Sequence, residues 1–118
     1  MGTFKIEGGH QLKGSIQPQG AKNEALQILC AVLLTPEVVT INNIPDIVDV
    51  NKLISLLKKL GVKVEKLGKG SFSFQADEVD LKYLESDQFK IDGRGLRGSI
   101  MIVGPLLARF GKGYIPRP

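Results

Sequence analysis

Three cations stand where folding alone gives them no favourable place. The N-terminus of a helix presents unpaired N–H groups and partial positive charge, so a cation in its first turn is opposed by about 0.3 to 1 kcal/mol. Lys22 follows Gln19-Gly20-Ala21 at the start of one apolar run, and Arg94 and Arg97 precede a second. A bound anion reverses the sign, because backbone N–H groups and side-chain cations then point at the same negative charge. The plain alternative is solvated surface cations, and the dipole effect is too small to decide between the two.

Other chemistry-bearing residues are sparse. His10 is the only histidine and has no second imidazole, thiolate or carboxylate at ligand spacing, so no metal site is expected. Cys30, the only cysteine, lies in an apolar run and reads as a buried structural thiol. The net charge of +4 raises the question of nucleic acid. Lys58, Lys59, Lys63, Lys66 and Lys69 gather around one helix end and the strand after it, without interleaved aromatics and with no Trp in the chain. A solvated face is the expectation.

The elements that must position the three cations can be read from pattern. With 118 residues, 42% hydrophobic and 24% charged, the chain has a globular balance. The N-terminus has no signal-peptide order, and the apolar runs Ile28 to Leu34 and Ile100 to Leu107 are much shorter than the roughly 20 residues of a spanning helix. A soluble, cytoplasmic protein with no membrane partner is expected. Thr3 to Glu7 and Leu12 to Gln17 alternate around Gly8-Gly9-His10, which predicts a strand pair. Asn23 to Leu34 is apolar on nearly every face and predicts a fully buried helix ended by Thr35-Pro36. Val38 to Ile44 predicts a strand, and Pro45-Asp46 opens an amphipathic helix with Val50, Leu53, Ile54, Leu57 and Leu60 on one face and Gly61 as its stop. Val62 to Lys66 and Ser71 to Gln75 predict a hairpin across Gly68-Lys69-Gly70.

Asp77 to Lys90 has weak periodicity and reads as an irregular connection with one short helical turn. Leu96 to Arg109 predicts a second greasy helix with a kink or change of segment at Gly104-Pro105, and Tyr114-Ile115 a last short strand. Greasy helices beside strands that keep one wet face argue for an α/β (α+β) fold with helices packed inside a shell of sheet. One copy of such a βαβ-hairpin unit cannot cover its helices, so further copies should surround it.

The segment Gly20-Ala21-Lys22-Asn23-Glu24-Ala25-Leu26 resembles the GAKNxAL signature of the UDP-N-acetylglucosamine 1-carboxyvinyltransferase family, the enolpyruvyl transferases of peptidoglycan synthesis. Leu96-Arg97-Gly98-Ser99-Ile100, followed by Gly104 to Gly111, resembles that family's MRASI and GPLLARFG blocks. Ile44-Pro45-Asp46 to Asp49-Val50 and Leu56-Leu57 to Val64 fit between them in order, so the likeness covers the whole chain.

The resemblance implies a partial inside-out α/β barrel, with residues 1–20 supplying strands of a second lobe and then a hinge, and residues 21–118 a partial first lobe. It implies substrate contacts at Lys22 and Asn23, which match the pair at phosphoenolpyruvate, and at Arg97, which matches the arginine at the substrate phosphate. The implied reaction protonates the phosphoenolpyruvate methylene, adds the 3'-hydroxyl of UDP-N-acetylglucosamine, and expels phosphate from a tetrahedral ketal. Cations offset the cost of desolvating phosphate and carboxylate in a closing cleft and stabilise charge as phosphate departs. This scheme requires no cofactor and no metal.

In the family the general acid lies on a loop after a proline-glycine-glycine turn, which corresponds to a position beyond Pro118. No catalytic residue is therefore expected in this chain, and the segment alone is expected to be inactive. Gln19, where many relatives carry serine, and Met101, where an aromatic is common, depart from the pattern and bear on the shape of the sugar pocket.

Apolar surface left bare should make the isolated segment self-associate, and a compact monomer by light scattering would contradict that. The shikimate-pathway enolpyruvyl transferase carries its early lysine in a serine-rich setting unlike Gly20 to Asn23. From another class, the alternative is a nonenzymatic anion- or RNA-binding module. Salt-dependent RNA binding that survives loss of Lys22 and Arg97, but not neutralisation of Lys58, Lys59 and Lys63, would identify it.

Overall fold

Local pattern determines the central elements. The computed structural model describes residues 2–94 and 96–114, and for residues 97–99 the backbone only. Val50, Leu53, Ile54 and Leu57 recur at helical spacing, and they are the buried side of α2 (Val48–Lys59). Gly61 ends that helix with φ +101°. Its N–H donates to the Lys58 carbonyl and the Val62 N–H to the Leu57 carbonyl, each at 3.0 Å, which is the paired C-terminal motif a left-handed glycine allows. A side chain at Gly61 would also meet the Glu78 carbonyl oxygen at 2.5 Å.

The sheet follows from alternation. β1 (Val38–Ile41), β2 (Lys63–Gly68) and β3 (Ser71–Gln75) pair antiparallel in the order β1-β3-β2. The register places Val39, Phe74 and Val64 in one row and Thr40, Ser73 and Glu65 in the next. Successive strand residues face opposite sides, so one face is apolar and the other polar. Phe74 is fully buried, and its ring centroid lies 6.1 Å from that of Phe72 on the same face.

Around this sheet stand α1 (Lys22–Ala31) with a 3-10 turn at Val32–Leu34, a 3-10 turn at Tyr83–Glu85, α3 (Asp87–Gly93), a 3-10 segment at Arg97–Ile102, and α4 (Val103–Phe110). The fold is mixed α/β, and its single core joins Leu29 and Cys30 of α1, Leu53 and Leu57 of α2, Phe74 and Leu106.

Several sequence expectations are corrected. Residues 3–17 form no strand pair, and Phe4, Ile6, Leu12 and Ile16 are 91% to 93% exposed. A hairpin needs an apolar surface under its inner face, and here none is supplied. The first greasy helix is buried on one side only, at Ala25, Leu26, Leu29 and Cys30, while Ile28 is 40% exposed. In Leu96 to Arg109 the change of segment expected at Gly104-Pro105 does occur, one residue earlier. A 3-10 segment gives way to α4 at Val103, which puts Pro105 in the first turn, where a missing N–H breaks no helical hydrogen bond.

Ile100, Met101 and Leu107 are likewise bare, at 42% to 53% exposure, so the second greasy run is also half wet. Asp77 to Lys90 holds more order than expected. Ser86 caps α3 by accepting from the Phe89 N–H at 3.2 Å, a signal present in the sequence but weak beside the acidic composition. The expected strand at Tyr114-Ile115 lies partly outside the described residues, and Tyr114 itself is not in a strand.

Candidate functional site

The start of α1 is set by a close approach of two backbones. A Cβ at Gly20 would lie 2.0 Å from the Asn43 carbonyl oxygen, so only glycine lets the chain pass there. Asn43 has φ +58°, and the next residue, Ile44, donates its N–H to the Gly70 carbonyl at 2.9 Å. The hairpin turn thus anchors the 42–45 loop, and the loop fixes where Lys22 and Asn23 begin the helix. Ala21, the N-cap, offers no capping side chain, so the first-turn N–H groups are not taken up that way.

Lys22 is engaged. Its Nζ lies 2.6 Å from Oδ2 of Asp49, in the first turn of α2, and both side chains are about half exposed, at 50% and 41%. The hydrogen bond from Lys22, and then its charge, hold the Asp49 carboxyl below the usual carboxylate range. Asn23 is exposed beside it. Arg97 opens the 3-10 segment, which packs against α1, and its side chain lies outside the described residues. Arg94 does not open a helix as its place in the sequence suggests. It closes α3 and lines a cleft of about 300 Å³ with Lys52, Ser55, Lys59 and Asp92. Lys22 and Arg97 thus belong to elements that touch, and Arg94 lines a cleft that Lys22 does not.

Two further clefts lie near the start of α1 and the 42–45 loop. One of about 140 Å³ is lined by Gly20, Ala21, Glu24, Ile28, Ile41 and Asn42, among others. Another of about 490 Å³ takes Gln17, Gln19, Asp46, Asn51, Lys66 and Lys69 into its wall. Lys22 lines neither.

Three polar groups have contacts that the sequence does not announce. Asp49 gave no sign of its partner, since an acidic residue in a first turn is favourable on helix-dipole grounds alone. Arg109, inside the GPLLARFG-like block, donates from Nη1 to the carbonyls of Leu33 at 3.0 Å and Ala76 at 2.7 Å. Its guanidinium lies 4.7 Å from the centroid of the Phe110 ring, so it ties α4 to the ends of the first helical run and of the sheet. Asp92 accepts from the Tyr83 hydroxyl, from Gln88 at 2.8 Å, and pairs with Lys59 at 3.0 Å. Those contacts, the tyrosine first, hold its carboxyl below the usual range, while burial and Asp92 together push the Tyr83 hydroxyl up.

The lysine cluster is partly committed to structure in the same way, with Lys59 on Asp92 and Lys63 2.9 Å from Asp77. Cys30 is 2% exposed, and burial pushes its thiol up to about 12, as expected of a packing residue. Among the described residues, no group of three or more His, Cys, Asp or Glu side chains could hold a metal ion. Nor, among those residues, is any helix long and apolar enough to cross a membrane.

Comparison with known proteins bears directly on the two motif-bearing segments. The sequence profile of the family described as EPSP synthase (3-phosphoshikimate 1-carboxyvinyltransferase) matches residues 6–116. Proteins named UDP-N-acetylglucosamine 1-carboxyvinyltransferase match over all 118 residues, at 60% identity in Bacteroides thetaiotaomicron, 61% in Bacteroides fragilis and 54% in Porphyromonas gingivalis. The chain spans 27% of the length of each of these relatives. Because the family match runs through the Lys22-Asn23 turn, the hairpin unit and the Arg97 segment without a break, the chain belongs to the EPSP synthase (3-phosphoshikimate 1-carboxyvinyltransferase) family.

Proposed function

We propose that this chain is part of an enolpyruvyl transferase that moves the enolpyruvyl group of phosphoenolpyruvate to the 3'-hydroxyl of UDP-N-acetylglucosamine, releasing phosphate in a committed step of peptidoglycan synthesis. The observation that carries the reading is the Gly20 to Asn23 turn. A glycine that the Asn43 carbonyl makes obligatory delivers a lysine and an asparagine to an uncapped helix start. That arrangement suits a phosphorylated anion, and identity near 60% to relatives bearing the UDP-sugar name favours this substrate over shikimate 3-phosphate.

In this reading Lys22 and Asn23 contact phosphoenolpyruvate, and Arg97 stands at the substrate phosphate. The cations lower the cost of enclosing the trianion and stabilise the charge that develops as phosphate leaves. The fold is one stretch of an inside-out barrel, with residues 1–20 pairing in a second lobe across a hinge. The half-bare α1 and α4 and the exposed Ile28, Leu34, Ile100 and Leu107 support it, since further units would cover them. By itself the segment has no turnover and associates through that apolar surface.

The test uses a full-length protein carrying this segment. It should release inorganic phosphate from phosphoenolpyruvate when UDP-N-acetylglucosamine is supplied. Lys22→Ala and Arg97→Ala should each lower kcat/KM by about 100-fold or more. Phosphate release with shikimate 3-phosphate instead would assign the sister activity. No release with either acceptor, together with RNA binding that depends on Lys58 and Lys63, would favour the nonenzymatic alternative.

A further inference from the structure

We infer that Asp49 is a positioning residue for this anion site: its carboxylate holds the Lys22 ammonium so that the donors it leaves free face the incoming anion. The inference rests on the reading of Lys22 as an anion contact.

Three observations carry it. The Nζ to Oδ2 distance of 2.6 Å is at the short end for a charge-assisted hydrogen bond, although both side chains are half exposed. Lys52, three residues along the same helix and at the usual pairing interval, also acts on the Asp49 carboxylate through its charge, yet the short contact goes to Lys22. The pair also bridges the first turns of two helices, α1 and α2, that pack against each other. The carboxylate therefore rides on a rigid element next to the site.

An ammonium has three donors, and Asp49 takes one. A lysine with no such partner would spread over many rotamers and lose that freedom when an anion binds, so tethering it in advance lowers the cost of binding. Stability gives little reason for the pair, because half-exposed ion pairs contribute little to folding.

The experiment compares wild type, Asp49→Asn, Asp49→Glu, Lys22→Ala and the Lys22→Ala/Asp49→Asn double variant in the full-length protein. KM for phosphoenolpyruvate, kcat and the thermal midpoint are measured for each. Asp49→Asn should raise KM about tenfold with a smaller change in kcat and an unchanged midpoint. Asp49→Glu should recover most of the loss, and the double variant should match Lys22→Ala, because Asp49 acts only through the lysine.

A normal KM in Asp49→Asn beside an impaired Lys22→Ala overturns the inference and leaves the functional reading intact. A lowered KM overturns it in favour of competition between Asp49 and the ligand for the ammonium. Losses that add in the double variant overturn it as well. A Lys22→Ala protein with normal kinetics removes Lys22 from the site and the inference with it.

Discussion

In Thr3–Glu7 and Leu12–Gln17, apolar and polar residues alternate much as they do in β2 and β3, and a glycine turn separates each pair. The second pair forms a ladder with β1 on its far side, and Phe74 is wholly buried. The first forms none, and its Phe4 is 93% exposed. The chemistry of the side chains is alike in the two regions, and what differs is the company. The residues of β3 have strands on both sides and a core built by α1 and α2 beneath, whereas residues 3–17 have no apolar face to lie on. Alternation marks a segment able to become a half-buried strand, and a partner surface decides whether it does.

The polar contacts of the two regions differ in the same sense. The N-terminal segment has Lys5 to Glu7 at 3.8 Å and His10 to Glu7 at 3.7 Å, all on side chains more than 60% exposed. In the folded part, Asp92 is 14% exposed and gathers Tyr83, Gln88 and Lys59. Polar contacts closed off from water hold geometry, and long ion pairs left in water hold little.

The comparison can be broken most directly at Phe74. Phe74→Ala should destabilise the chain by about 3 to 5 kcal/mol in urea unfolding, and a loss below about 1 kcal/mol would mean that the sheet is no better supported than the N-terminal segment. A smaller effect is expected from Asp92→Asn, and it should depend on pH. The carboxyl of Asp92 is held low in the folded chain, so its contribution is present above the unfolded value of about 4 and fades as pH falls through the folded one. The stability gap between wild type and Asp92→Asn should therefore be widest near neutrality and close in acid, and a gap constant from pH 7 to pH 2 would contradict the assignment. Smallest of all, Ile6→Ser combined with Ile16→Ser should change stability by no more than about 0.5 kcal/mol, measured the same way.

Much of the candidate site is legible in the amino-acid sequence. Lys22 stands out through a sign argument, a cation at a helix start, and Gly20 through its place in a breaker run; the fold adds that Gly20 is required by the Asn43 carbonyl. Asp49 is not legible in this way, because an acid in a first turn is unremarkable until its partner from another helix is seen. Arg94 is misplaced by sequence pattern for a related reason. It lies between two segments, and nothing in its neighbours says that α3 claims it as its C-terminal boundary.

Local periodicity and turn chemistry by themselves determined the α/β class, the span of β3, the buried stripe of α2 and its glycine stop, because these depend on residues within one or two turns of each other. Only the tertiary structure decided which apolar segments would find cover, where α1 must start, and that Arg109 would bind the Leu33 carbonyl 76 residues away. Such contacts depend on how elements distant in the chain are brought together, and no window of neighbouring residues contains that information.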